Sequence, residues 1–199
     1  MPRVARAQSL DALLSEAIAG IPGSVGVAAR TMANGPPFFA YNAERSFPSA
    51  STIKLVIMLT AFVGAEIDPS AMDRRIVFRR SDLIGGSDFL ANAQDGERFT
   101  IRELVVPMIQ RSDNTAANLL ISHFGFGRIN LVARRAGMER TQLRRHFLDY
   151  AAMLKHMDNR TTPADMANLL YRIERAVREG ETTVASPQSC DAMIRIMLG

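Results

Sequence analysis

Residues 49–55 read SASTIKL, the entry to an apolar run that extends to Ala65. Lys54 is the only charged residue between Arg45 and Glu66. It is also one of two lysines, with Lys155, in a chain whose other basic residues are arginine. Arginine keeps its proton in a protein, whereas lysine can lose it. Apolar surroundings push a lysine toward its neutral form, because burial disfavours charge. Positions three apart share a helix face, so Ser51 and Lys54 are expected to meet in the first turn of a helix over 51–64. A neutral amine there can take the Ser51 proton, the serine–lysine form of an activated nucleophile. The backbone N–H groups of a first helical turn point outward at the positive end of the helix dipole, which suits a developing oxyanion. The spacing itself is common, and a plain helix start is the competing reading.

A second polar cluster, Ser112-Asp113-Asn114, lies within MIQRSDNTAANLL at residues 108–120. Serine, aspartate and asparagine all favour cap positions, so an ordinary helix entry also accounts for it. In the functional reading Ser112 relays a proton between Lys54 and a leaving nitrogen. Asn114 donates its amide to a substrate carbonyl, and Asp113 braces the loop.

Together, Ser51-x-x-Lys54 and Ser112-Asp113-Asn114 resemble two of the three motifs of the penicillin-recognising serine hydrolases, in particular the class A β-lactamase-like group. The stretch TIRELVVPMIQRSDNTAANLLI (100–121) looks like that family's buried central helix, motif loop and following helix. TQLRR (141–145) and NRTTPADMANLL (159–170) look like the entry to and exit from its omega loop. The resemblance covers nearly all the chain from Ser9 onward. It implies a mixed α/β fold: a five-stranded antiparallel sheet flanked by helices, an all-helical part inserted after the first two strands, and an active site in the cleft between. On that plan residues 1–48 supply a helix and a β-hairpin of the α/β domain. Residues 49–199 form the helical domain with both motifs and an omega-like loop at about 138–162. The resemblance also implies a periplasmic or secreted location.

Two departures from the family pattern bear on chemistry. The class A omega loop carries a glutamate that activates the deacylating water, and alignment on TQLRR puts Phe147 there. A phenyl ring cannot act as a base. Glu139 lies too early, and Asp149 and Asp158 are the nearest downstream carboxylates, with Asp149 the candidate for a deacylation role. The Lys-Thr-Gly motif is also missing, since no lysine follows Lys155. The chain stops at IRIMLG, about where the family enters its last three strands, so it is read as a fragment or a naturally shortened protein. An open sheet edge is then expected to favour self-association.

Along the chain, helices are expected at Ser9–Ala19, 51–64, 69–73, 81–91, 100–111, 114–123, 127–136, 163–179 and 187–197. Ser9 is the expected cap of the first, Thr100 with Glu103 forms a capping box, and Thr162-Pro163 is a cap followed by proline at the first helical position. Strands are expected within 24–30 and 38–42 around a turn at Asn34-Gly35, and no other run reads as a strand. The 138–162 stretch has no clear helical pattern, and loops that long are often functional.

Composition narrows the function classes. The 199 residues carry a net charge of +4, with 47% hydrophobic and 22% charged residues. The arginines are scattered and not interleaved with aromatics, which argues against nucleic-acid binding; Arg128, Arg134 and Arg135 read as a solvated helix face. The longest apolar stretch, Leu55–Ala65, is shorter than the ~20 residues of a membrane span. Cys190 is the single cysteine, and His123, His146 and His156 match no metal-ligand spacing. No cofactor or metal is implied. The N-terminus has no apolar signal-peptide core; Ala5-Arg6-Ala7 is either coincidence or the stump of a removed signal peptide. Three functions remain open: a serine hydrolase opening β-lactams through acyl-Ser51, a carboxylesterase or D-Ala-D-Ala-type peptidase with the same nucleophile, and a catalytically silent member that binds a ligand or partner.

Overall fold

The computed structural model describes residues 9–32 and 38–199. The Asn34-Gly35 turn and Ala5-Arg6-Ala7 lie outside the described residues. The chain opens with helix α1 (Leu10–Ala19), capped by Ser9 Oγ on the Ala12 N–H at 3.3 Å. Strands β1 (Val27–Ala29) and β2 (Phe39–Tyr41) pair antiparallel, with Ala28 opposite Ala40. There follow β3 (Phe47–Pro48), a 3-10 turn at Ala50–Ile53, α2 (Lys54–Ile67), β4 (Arg75–Val77), β5 (Arg98–Thr100), α3 (Ile101–Gln110), α4 (Asn114–Phe124) and α5 (Phe126–Arg135). The chain continues through α6 (Tyr150–Leu154), β6 (Arg160–Thr161), α7 (Pro163–Glu179) and α8 (Pro187–Leu198).

The expected caps form. Thr100 Oγ1 accepts from the Glu103 N–H while the Glu103 carboxylate accepts from the Thr100 N–H. Thr162 Oγ1 accepts from the Asp165 N–H ahead of Pro163. Arg128, Arg134 and Arg135 are exposed on α5.

Three expectations need correction. Residues 81–91 do not form a helix; only short 3-10 turns stand at Arg80–Asp82 and Leu90–Asn92. Gly85-Gly86 breaks the pattern between them, and Gly86 sits at φ +70°, a region natural to glycine. A β-carbon on Gly86 would lie 2.7 Å from Asn114 Nδ2, so this loop is shaped to let the asparagine approach. Further strands also exist beyond the hairpin. β4 pairs with β5, and β3 pairs with β6. They are two or three residues long, too short to leave an alternating pattern in sequence. The 138–162 stretch is mostly irregular, as expected, but holds the short helix α6. Its ends are pinned together where Gln142 and Arg160 exchange both backbone hydrogen bonds, at 2.9 and 3.0 Å.

The core explains the position of Lys54. Helix α2 packs against α3, α4, α5 and α8, with Val56, Ile57, Met58 and Leu59 fully buried. A helix apolar on every face belongs inside. The stretch Ala50–Ile67 is long and apolar enough, by length and composition alone, to cross a membrane, but in this fold it is the central helix and over half of it is buried. Its N-terminus carries Ser51 and Lys54 to one end of the core. Helix α7 lies against both β1 and α8 and so links the small sheet to the helical body.

Candidate active site

Ser51 sits in the 3-10 turn that leads into α2 and is exposed. The residue before it, Ala50, is held at φ +45°. Ser112 has φ +54°. Left-handed backbone at a residue other than glycine is costly, and such strain gathers at functional sites. Here the two bends flank the contact between the serines: Ser112 Oγ donates to Ser51 Oγ at 2.8 Å.

Lys54 is 2% exposed and its ammonium is fully satisfied. It donates to Ser112 O at 2.6 Å, Ser112 Oγ at 3.0 Å and Asn114 Oδ1 at 2.8 Å. None of these acceptors is Ser51. Lys54 therefore reaches Ser51 through Ser112, not directly as the three-residue spacing predicts. Burial lowers the Lys54 pKa from 10.5 to about 8, against a smaller opposing pull from the Asp113 carboxylate. At neutral pH about a tenth of such an amine is neutral, and a neutral amine presents a lone pair to the Ser112 hydroxyl.

Asp113 braces the loop. Fully buried, it caps α4 by accepting the Ala116 N–H at 2.9 Å and also accepts the N–H groups of Phe89 and Leu90. Asn114 accepts from Lys54 and donates to Gly85 O at 2.9 Å, which engages one of its two amide protons.

Phe147 lies with its ring centroid 4.5 Å from the Lys54 ammonium. The ring presents an apolar wall and a weak cation–π attraction where a carboxylate would bring a full charge. Asn118 clamps the Phe147 backbone from both sides, accepting its N–H at 2.7 Å and donating to its carbonyl at 3.2 Å. Sequence reasoning did not single out Asn118, because an asparagine one helical turn beyond Asn114 carries no distinguishing signal. Arg145 donates to Asp158 from Nε and Nη2, at 3.0 and 2.7 Å, which closes the neck of the 138–162 segment. Asn159 reinforces that neck by accepting the N–H groups of Arg144 and Arg145.

A cavity of about 300 Å³ opens over Ser51, with Asn114, Phe147, Leu148, Tyr150 and Met153 among its lining residues. Asp149 is not part of that lining. Its carboxylate caps α6 by accepting the Ala152 N–H at 2.9 Å.

A helical body on a small antiparallel sheet, with a serine and a buried lysine joined through a second serine, has the organisation of a serine hydrolase of the class A type. The sequence matches the Beta-lactamase enzyme family over residues 5–199, and the chain belongs to that family. It is similar to a β-lactamase from Sphaerobacter thermophilus, at 32% identity and TM-score 0.74, covering 93% of this chain and 67% of that one. It is also similar to a mutant of the last common ancestor of Gram-negative bacteria class A β-lactamase, at 30% identity and TM-score 0.80, covering 94% and 69%. PBP-A shares the fold at 24% identity and TM-score 0.78, covering 93% and 66%. The chain thus spans about two thirds of the length of these proteins.

Proposed function

We propose that this chain is a serine hydrolase that opens β-lactam amides through an acyl-Ser51 intermediate and releases the acyl group slowly. The observation that carries this reading is the Lys54–Ser112–Ser51 hydrogen-bond chain over a cavity open to Ser51. Ser51 Oγ attacks the lactam carbonyl carbon. Its proton passes to Ser112 Oγ as the Ser112 proton passes to the neutral Lys54 amine. When the carbon–nitrogen bond breaks, the same chain returns a proton to the leaving nitrogen. Asn114 holds the substrate amide with its remaining N–H. No metal or cofactor takes part.

Slow release follows from Phe147, which offers no base to activate water beside Lys54. Asp149 is the candidate substitute, though its carboxylate is engaged in capping α6; an Asp149→Asn variant with an unchanged deacylation rate removes it. The apolar cover over Lys54 also supports a second reading, a carboxylesterase or D-Ala-D-Ala-type peptidase that uses the same nucleophile. A silent member that binds a ligand or partner is the reading that remains if Ser51 cannot be acylated. We further propose a helical domain over 49–199 set on an α/β part formed by 1–48, a periplasmic or secreted location, and self-association through the edges of β1 and β2.

The test is the intact mass of the protein over time with a penicillin, beside Ser51→Ala. A lasting adduct on the parent alone is the expected result. Ester turnover without penicillin turnover favours the second reading. No Ser51-dependent adduct with either class of compound overturns the serine mechanism.

A further inference from the structure

The cavity over Ser51 is lined by two unlike kinds of residue. Ser51, Asn114 and Asn159 are neutral and polar. Leu148, Tyr150 and Met153 supply apolar surface and are 37%, 63% and 40% exposed. The cations nearby are already spent: Arg145 is held by Asp158, and Lys54 lies behind the Phe147 ring with three acceptors of its own. We infer that this cavity takes acyl donors whose acyl group is large, neutral and apolar, and discriminates against small and anionic acyl groups. This deepens the reading of Ser51 as nucleophile and rests on it.

Size and chemistry agree. The cavity's volume of about 300 Å³ is that of a small ligand pocket. That is room for an eight-carbon chain or an arylacetyl group beside the reacting carbonyl. Apolar side chains left in water at a cavity wall gain free energy when a ligand covers them. An anionic acyl group would be desolvated against this wall without a free cation among the lining residues, which is unfavourable. The covalent step is ordinary acyl transfer. Ser51 Oγ bonds to the ester carbonyl carbon, the carbon–oxygen bond to the leaving phenolate breaks, and the Ser51 proton moves through Ser112 to Lys54.

The probes are the p-nitrophenyl esters of acetate, butyrate and octanoate, together with the anionic p-nitrophenyl hemiadipate, whose carboxylate is too far along the chain for rapid cyclisation. Ser51 acylation is followed by intact mass and nitrophenolate release, each rate divided by that ester's hydrolysis in buffer. A buried methylene is worth about fourfold, so octanoate is expected to exceed acetate by at least about thirtyfold, with hemiadipate below butyrate. Tyr150→Ser combined with Met153→Ser is expected to flatten the series. Leu154→Asp, at a residue 84% exposed and outside the lining, is expected to leave it unchanged. A flat series on the parent with Ser51 labelled overturns the inference and leaves the nucleophile standing. No Ser51 labelling by any ester overturns both. The parent series decides the matter even if the double variant fails to fold.

Discussion

In the proposed mechanism Lys54 is a base, and its burial is also a liability. Its amine must be neutral to accept the proton relayed from Ser51, so acylation is expected to rise with pH, reach half its maximum near pH 8 and level off above. Burial also makes the site pay in stability. The folded pKa of about 8 lies below 10.5, so between those values the unfolded chain holds more protons. Stability therefore rises with pH across that window, by on the order of 3 kcal/mol for a shift of this size. Urea unfolding of the parent at several pH values, beside Lys54→Met, checks the sign: the variant lacks that slope. Phe147 sets the other half of the chemistry. In Phe147→Glu a carboxylate faces the ammonium, favours its charged form and moves the acylation midpoint upward. The same carboxylate supplies a base for water, and the penicillin adduct is expected to decay at least about a hundredfold faster, the lower end of what a positioned general base contributes. The serine–lysine pair and the Ser-Asp-Asn cluster were legible in sequence because they are compact motifs. Ser112 was read there as a relay to a leaving nitrogen, but its place between Lys54 and Ser51 was not, because that depends on how a residue 61 positions away bends toward Ser51.

At the scale of elements, loops are held by buried polar side chains. Asp113 satisfies three backbone N–H groups from two segments while capping α4. Asp113→Ala removes a cap and strands buried donors, a loss of about 3 kcal/mol expected from the combined effects, read as a lower midpoint in thermal or urea unfolding. The neck of the 138–162 segment is held by Arg145 and Asp158. Arg145→Ala is expected to increase proteolytic cutting within that segment while the unfolding midpoint of the body changes little, because the α2 core does not depend on the neck. The helices were readable from their caps and apolar spacing. Residues 81–91 were not, because apolar residues on both sides of Gly85-Gly86 mimic a helical pattern, whereas the backbone there turns to receive Asn114. The short strands escaped notice for a different reason: two or three residues cannot display a period.

Over the whole molecule, one apolar helix organises everything else. Helix α2 is wrapped by α3, α4, α5 and α8, and both site motifs are mounted at its N-terminal end. The β1–β2 pair forms a two-stranded sheet among the described residues. A ladder with open edges invites pairing, so sedimentation velocity over a hundredfold range of concentration is expected to show a growing dimer fraction; a single monomeric species throughout removes the self-association proposal. The helical body was legible from sequence, since α2 announces itself as a core helix and most of its neighbours carry marked ends. The pairing of β3 with β6, which ties the entry to Ser51 to the exit of the 138–162 segment, joins residues more than 110 positions apart and left no trace in local pattern.

The scarcity of lysine has a practical side. Lys155 ends α6 in the open, two residues beyond Met153 on the cavity wall, while Lys54 is enclosed. Apart from any free α-amino group, an amine-directed dye therefore meets a single accessible side chain, two positions along the chain from the cavity lining. The unaltered protein thus carries its own single attachment point for a dye at the end of α6, without an engineered residue.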